Sequence, residues 1–278
     1  KNAQGILLIV LGNFFFAIQD SLVKYIYTNI ALYEMLLIRT LISFFIVIFY
    51  LKITKKPIIF KTHYPLLTII RVILFFFGFS FFYISLTIMP LTTANLLAFC
   101  SPFLITIFAI LFLKEKVGLR RWAAVIIGFI GVFIVLDPDF SNFNYFSLLP
   151  IFGALCYALA MIILKKTSDK DDVFVQLFQF CIGSTIICIA LYFLIGNGQY
   201  NYSDHTVSQF IFREWFSNLE FAMPYMIIIG VSAAASFVFL FTAYRIASPV
   251  AVSPFEYTIL LWISWSGWVF FNEIPNQR

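Results

Sequence analysis

The sequence predicts an all-α integral membrane protein arranged as an inverted repeat of five-helix units. Three observations predict it. Of 278 residues, 62% are hydrophobic and only 11% charged, against the roughly 25% charged residues of a soluble chain. Nine apolar segments of about 18 to 26 residues can be marked, each long enough to cross a hydrocarbon core of about 30 Å at about 1.5 Å per residue. The two halves of the chain also repeat each other.

The segments lie at 5–27, 32–51, 64–89, 91–113, 119–136, 145–164, 173–195, 220–246 and 250–271. Uninterrupted runs such as Val72 to Phe82, with six phenylalanines, lack the alternation of a membrane barrel and suit helices, which satisfy their own backbone hydrogen bonds in lipid. The first span reads Gly12, Asn13, Phe14, Phe15, Phe16, Ala17 and later Lys24; the sixth reads Gly153, Ala154, Leu155, Cys156, Tyr157, Ala158 and later Lys165, an offset of 141. The end of the fourth span, Phe112-Leu113-Lys114-Glu115, matches Phe270-Phe271-Asn272-Glu273 at the end of the ninth. Residues 1–140 and 141–278 are therefore expected to be two five-helix units, and an odd number of helices makes the second enter the membrane from the opposite side. The second unit shows four helices, so a tenth span is expected beyond Arg278. The segment 196–219 reads as an amphipathic piece at the interface, with Phe210, Phe212, Trp215 and Phe216.

With the N-terminus cytoplasmic, the inner loops collect Lys1, Lys52, Lys55, Lys56, Lys61, Lys114, Lys116, Arg120, Arg121, Lys165, Lys166, Lys170 and Arg245, and the outer loops only Arg213 and Arg278. That asymmetry predicts a multi-pass protein of the plasma (inner) membrane with its N-terminus inside. The net charge of +5 is accounted for by these loops and does not point to nucleic acid. Cys100, Cys156, Cys181 and Cys188 fall in apolar segments and read as small buried hydrophobes. No cofactor motif or metal cluster is apparent; His63 and His205 sit in or beside loops on opposite sides, which argues against an embedded enzyme. A phosphate-cradling loop is also missing, so direct drive by ATP is not expected within this chain.

Ionisable groups inside spans are costly and mark functional sites. Asn13, Phe16, Asp20 and Lys24 share one face of the first helix. Asp20 and Lys24 fit an i, i+4 pair, so a self-neutralising pair and a substrate or coupling role for Asp20 both stand. Glu34 and Arg39 lie near the outer end of the second span, where snorkelling or pairing with another helix would accommodate them. Arg71 reads as an anchor snorkelling to the inner side. Asn95 and Ser101-Pro102 predict a kink beside a cavity, since proline frees a backbone carbonyl. Glu256 is the sharpest residue: it lies in the ninth span without a basic partner in sequence, and is a candidate for both substrate binding and coupling. Phe16, Phe99, Tyr157, Phe239 and Tyr257 adjoin these positions and suit the caging of an organic cation. The alternatives to a carrier are a membrane-embedded enzyme, a channel and a structural membrane protein.

The stretch Ala243-Tyr244-Arg245-Ile246-Ala247-Ser248-Pro249-Val250-Ala251-Val252-Ser253-Pro254-Phe255-Glu256-Tyr257, continuing to Trp262, Gly267-Trp268 and Phe271-Asn272-Glu273-Ile274-Pro275, resembles the last part of EamA-like members of the drug/metabolite transporter superfamily. Leu91-Thr92-Thr93-Ala94 with Ser101-Pro102 and Glu115, and Gly128 through Gly131-Val132, resemble its fourth and fifth helices. The resemblance implies a ten-helix transporter with a central cavity, moving small organic metabolites by alternating access with a proton or an exchange substrate as driving partner. Members with an acidic motif resembling Pro254-Phe255-Glu256-Tyr257 include S-adenosylmethionine transporters, which implies a cationic or zwitterionic metabolite such as an amino acid or S-adenosylmethionine.

Overall fold

A computed structural model describes residues 1–116, 118, 119, 122, 123, 126, 127, 130, 145–202 and 205–271. Its helices are α1 (Asn2–Ile26), α2 (Leu32–Ile53), α3 (Pro65–Ser85), α4 (Leu91–Ala98), α5 (Cys100–Leu113), α6 (Leu148–Thr167), α7 (Val173–Ile195), α8 (Thr206–Phe212), α9 (Leu219–Ile246), α10 (Pro249–Val252) and α11 (Ile259–Phe271), with 3-10 turns at Tyr145–Ser147 and Ser253–Thr258. Among the described residues seven stretches are long and apolar enough to cross a membrane, counting α4 and α5 as one. Phe49, Leu66 and Phe193 lie exposed on the outside of the bundle, as lipid-facing side chains of membrane helices do. This is an all-α membrane protein. The expected fifth span, the residues Gly128 and Gly131-Val132 within it, and Asn272 onward with any tenth span lie wholly or largely outside the described residues.

Local sequence explains the boundaries. Pro65 sits in the first turn of α3, where its missing N–H leaves no hydrogen bond unmade. Lys114 closes α5 in the left-handed conformation at φ 56°, a common helix stop. Pro102 has no N–H for the carbonyl of Ala98, and the helix breaks there into α4 and α5. The expectation of one ninth span over 250–271 is corrected in the same way. Pro249 and Pro254 leave two carbonyls without helical donors, and the chain forms α10, a tighter 3-10 segment at Ser253–Thr258, and then α11. Within 196–219, the stretch expected at the interface, the described residues form one short helix, α8, whose Phe210 is buried.

The helix contacts come in pairs. α1 runs along α9 as α6 runs along α3; α2 packs on α9 as α7 packs on α3; α11 lies on α1 as α5 lies on α6; α2 and α7 meet each other. Two close crossings fix this frame. A β-carbon on Gly153 would meet the Gly78 carbonyl oxygen at 3.0 Å, and one on Gly12 the Ser236 carbonyl oxygen at 3.4 Å. Backbone cannot yield as a side chain can, so a small residue is required at Gly153, while Gly12 marks a close but ordinary approach.

Buried polar groups tie the ends together. Arg71 is 1% exposed and donates through Nη2 to the Gln176 carbonyl at 3.0 Å, which corrects the snorkelling expectation: the neighbouring helix α7 supplies the acceptor that water would have supplied. In the loops, Asp171 accepts from the Thr62 hydroxyl and from the backbone N–H and Nδ1 of His63, each of these nitrogens at 2.9 Å. Burial pushes the Asp171 carboxyl up, but these donors outweigh it and hold it below the ordinary carboxylate range.

Two outcomes follow from this packing. Gly153→Ala should lower stability in detergent by about 1 to 3 kcal/mol, read as a fall in the thermal midpoint, whereas an unchanged midpoint would deny that the α3–α6 crossing is close-packed. Asp171→Asn should cost about 1 to 3 kcal/mol at neutral pH. Because the native carboxyl is held down, that advantage of the wild type should persist to about pH 5 and vanish as pH falls below about 4, in thermal unfolding of both proteins across that range.

Candidate functional site

The broken ninth span is where backbone and side chains converge. In lipid, every carbonyl left over by an interrupted helix needs a donor from within the protein. The Asn13 amide of α1 braces the segment that follows the prolines: its Nδ2, with two hydrogens to share, lies 3.2 Å from the Phe255 carbonyl, 3.1 Å from the Glu256 carbonyl and 2.9 Å from the Thr258 hydroxyl oxygen. The 3-10 segment is thereby clamped to α1, and its geometry turns Glu256 inward. Glu256 is 6% exposed. Its Oε1 accepts from the hydroxyls of Tyr157 on α6, at 2.9 Å, and Tyr244 on α9, while the Ser101 hydroxyl of α5 lies beside it. The Glu256 carboxyl is thus met by neutral hydroxyl donors from three different helices.

Glu256 borders a cavity of about 130 Å³ between α1, α3, α4, α5 and α6. Asn13, Phe16, Asp20, Asn95, Phe99, Tyr157 and Glu256, all expected from sequence, line it together with Phe75, Phe79, Phe82, Ser101 and small residues at Gly78, Gly153 and Ala154. Its described lining contains two acids and no Lys, Arg or His. At about 130 Å³ it is smaller than the roughly 300 to 1,000 Å³ of sites that enclose a whole drug-sized molecule. In this conformation it admits a head group, and a larger metabolite requires the helices to part.

Three expected residues lie elsewhere. Lys24 does not line the cavity; its Nζ donates to the carbonyls of Leu86 and of Met89, the latter at 2.9 Å, at the end of α3. A helix end presents unsatisfied carbonyls and negative potential, which attract the ammonium. Lys165 does the same at the end of α9, donating to the Arg245 and Ala247 carbonyls at 3.0 and 2.7 Å. Phe239 packs near Gly12 and stacks on Phe15. Tyr257 stands behind the lining, with its ring 5.2 Å from Phe99 and its hydroxyl donating to the Phe99 carbonyl at 3.3 Å.

Sequence reasoning missed a second polar group beside the cavity. The Tyr83 hydroxyl accepts from Arg39 Nη1 at 3.1 Å and from Gln19 Nε2, and its own proton reaches Asp20. Arg39 also lies 4.5 Å above the Phe79 ring. Of the two readings left for Arg39, pairing with another helix is the one realised. Gln19 is adjacent to Asp20 and mid-span, so its polarity was a signal; Tyr83 was hidden among aromatics and became informative only through folding.

A larger groove of about 510 Å³ lies between α1, α9 and α11, lined by Phe14, Tyr25, Tyr225, Trp262 and Trp265. Its serines Ser21 and Ser266 bond to each other at 2.8 Å, and its described lining has no Asp, Glu, Lys, Arg or His. Size favours the groove, but selective recognition needs convergent polar groups, and those surround the smaller cavity.

Residues 3–137 match the family described as the EamA-like transporter family. Along most of its length the chain is similar to the S-adenosylmethionine uptake transporter of Rickettsia prowazekii, at 27% identity over 94% of this chain and 82% of that protein. It is also similar to the riboflavin transporter of Vibrio cholerae, at 28% identity over 99% and 87%, and to the pseudopaline exporter of Pseudomonas aeruginosa, at 24% over 98% and 89%. A solved crystal structure covers all of this chain and 91% of its own, with a TM-score of 0.76 at 13% identity, a likeness of fold.

One outcome tests the clamp. Asn13→Leu keeps the volume and removes the donor, so it should cost about 1 to 3 kcal/mol and lower the thermal midpoint in detergent. A midpoint equal to that of the wild type would mean that the Ser253–Thr258 segment holds itself.

Proposed function

We propose, from the premise that this chain belongs to the EamA-like transporter family of the drug/metabolite transporter superfamily, that it is a secondary-active carrier of a small cationic or zwitterionic metabolite. The chain is a transporter and not an enzyme. The observation that carries the substrate class is the acidic, base-free cavity lining centred on Glu256. Amino acids and S-adenosylmethionine-like compounds present the positive group that such a site attracts, and the relative transporting S-adenosylmethionine supports that choice. Phe16, Phe79 and Phe99 add aromatic faces, each worth about 0.5 to 2 kcal/mol to a well-placed cation.

Alternating access is supported by the pairing of contacts. With α1 corresponding to α6, α2 to α7, α3 to α9, and α4–α5 to α10–α11, each packing contact named above has its counterpart, as expected of two inverted units. Phe99 and Tyr257 are related by the same offset of 158 as Leu113 and Phe271, so the two helix breaks face each other beside the cavity. In this arrangement the end where α1 begins is tied shut by Asp171 with Thr62 and His63, and by Ser248 with Glu115. We assign that end to the cytoplasm from the distribution of lysine and arginine.

Counterflow of labelled S-adenosylmethionine in proteoliposomes of the full-length protein tests this reading. Saturable counterflow should fall by about tenfold or more in Glu256→Gln, with monodispersity retained. Movement without saturation would indicate a channel, and counterflow unchanged by Glu256→Gln would remove this residue from the site. Absence of S-adenosylmethionine movement while amino acids or amines are carried would discard the named compound and keep the cationic class.

A further inference from the structure

The two acids on the cavity are not equivalent, and the difference lies in residues behind the wall. Asp20 is 5% exposed and is joined through the Tyr83 hydroxyl to Arg39, itself 1% exposed. Arg39 lies among Phe79, Tyr83 and Phe237, with ring centroids 4.5 to 5.8 Å from its guanidinium carbon. A buried guanidinium without an opposing charge is costly at membrane depth. Asp20 is that opposing charge. Lys24, one turn further along α1, directs its ammonium to the carbonyls that end α3. Around Glu256 the hydrogen-bond donors are neutral hydroxyls, from Tyr157 and Tyr244. The pair is not repeated at the matching positions of the second half: at the offset of 141, Arg39 corresponds to Phe180 and Asp20 to Met161.

We propose that Arg39 is a specificity-determining residue: by neutralising Asp20 it leaves Glu256 as the single uncompensated charge of the cavity, so that the site selects an organic substrate group bearing one positive charge over one bearing two. This rests on the cationic reading of the site and sharpens it. Arg39 acts through Asp20 and does not line the cavity, so it is a positioning and charge-setting residue. Removing Arg39 alone makes the cavity doubly negative; removing the Asp20 charge alone sets Arg39 against Glu256 and makes the cavity neutral; removing both restores one negative charge.

The test uses the full-length protein in proteoliposomes and two amines of one skeleton, butylamine and 1,4-diaminobutane, as competitors of labelled-substrate counterflow. The wild type and Arg39→Lys should both favour the monoamine. Arg39→Gln should shift the ratio of inhibition constants toward the diamine by about tenfold or more. Asp20→Asn should weaken the monoamine by a similar factor, and Asp20→Asn with Arg39→Gln should recover the wild-type ratio. If Arg39→Gln does not fold, the comparison of Asp20→Asn with the double variant decides alone. Monoamine binding that stays weak in the double variant would show Asp20 to be a direct ligand and overturn the proposal, as would Asp20→Asn without effect or an unchanged ratio in a folded Arg39→Gln. Inhibition by neither amine in the wild type would overturn the cationic reading itself.

Discussion

The structure depends on the need to satisfy an interrupted helix inside a bilayer. Pro249 and Pro254 deny α-helical hydrogen bonds to the start of the ninth span, and no water is available in lipid to replace them. The carbonyl of Arg245, which Pro249 leaves without its helical donor, accepts from Lys165, and the Asn13 amide, reaching from the other half of the chain, braces the 3-10 segment through the Phe255 and Glu256 carbonyls and the Thr258 hydroxyl oxygen. From that clamp follow the inward direction of Glu256, its reach to Tyr157 and Tyr244, and the placement of a carboxyl group against a cavity that is otherwise aromatic and small-residue in character. The break exposes backbone only where it is buried against protein, as membrane folds require.

A duplicated scaffold with unduplicated polar groups is an economical way to build such a site. Lys24 and Lys165 occupy matching positions and do matching work, each on the carbonyls ending the third helix of its own half. Gly12 and Gly153 match as well, and each faces the backbone carbonyl of a neighbouring helix. Chemistry departs from this symmetry: Asn13 faces Ala154 in the correspondence, Glu256 faces Ala98, and Asp20 faces Met161. On the proposed reading packing is shared between the halves, whereas recognition is divided, with the Asp20–Arg39 pair in one and Glu256 in the other.

Much of this was legible in the sequence because lipid imposes simple rules. Apolar length gave the spans, and helical spacing placed Asn13, Phe16 and Asp20 on one face that does line the cavity. Long-range partners were not legible. The i, i+4 spacing of Asp20 and Lys24 fits a local pair, but a helix terminus several dozen residues away offers Lys24 two carbonyls. Arg71 could snorkel by its position, yet Gln176 on a neighbouring helix accepts from it first. The interruption at Ser253–Thr258 had its signal in two prolines, but continuous hydropathy over 250–271 concealed it. The role of Tyr83 required knowing that Gln19, Asp20 and Arg39 converge on it.

The central claim is that a cationic substrate seats on the carboxyl group of Glu256. Labelling by a hydrophobic carbodiimide, with the modified peptide located by mass spectrometry, reads that group directly in membranes containing the full-length protein. The account predicts modification at Glu256 that falls away under a saturating concentration of a cation that the protein carries in counterflow, S-adenosylmethionine first, with Asp20 protected no more than by its pairing in the empty protein. Modification of Glu256 to the same extent with and without a carried cation would contradict it.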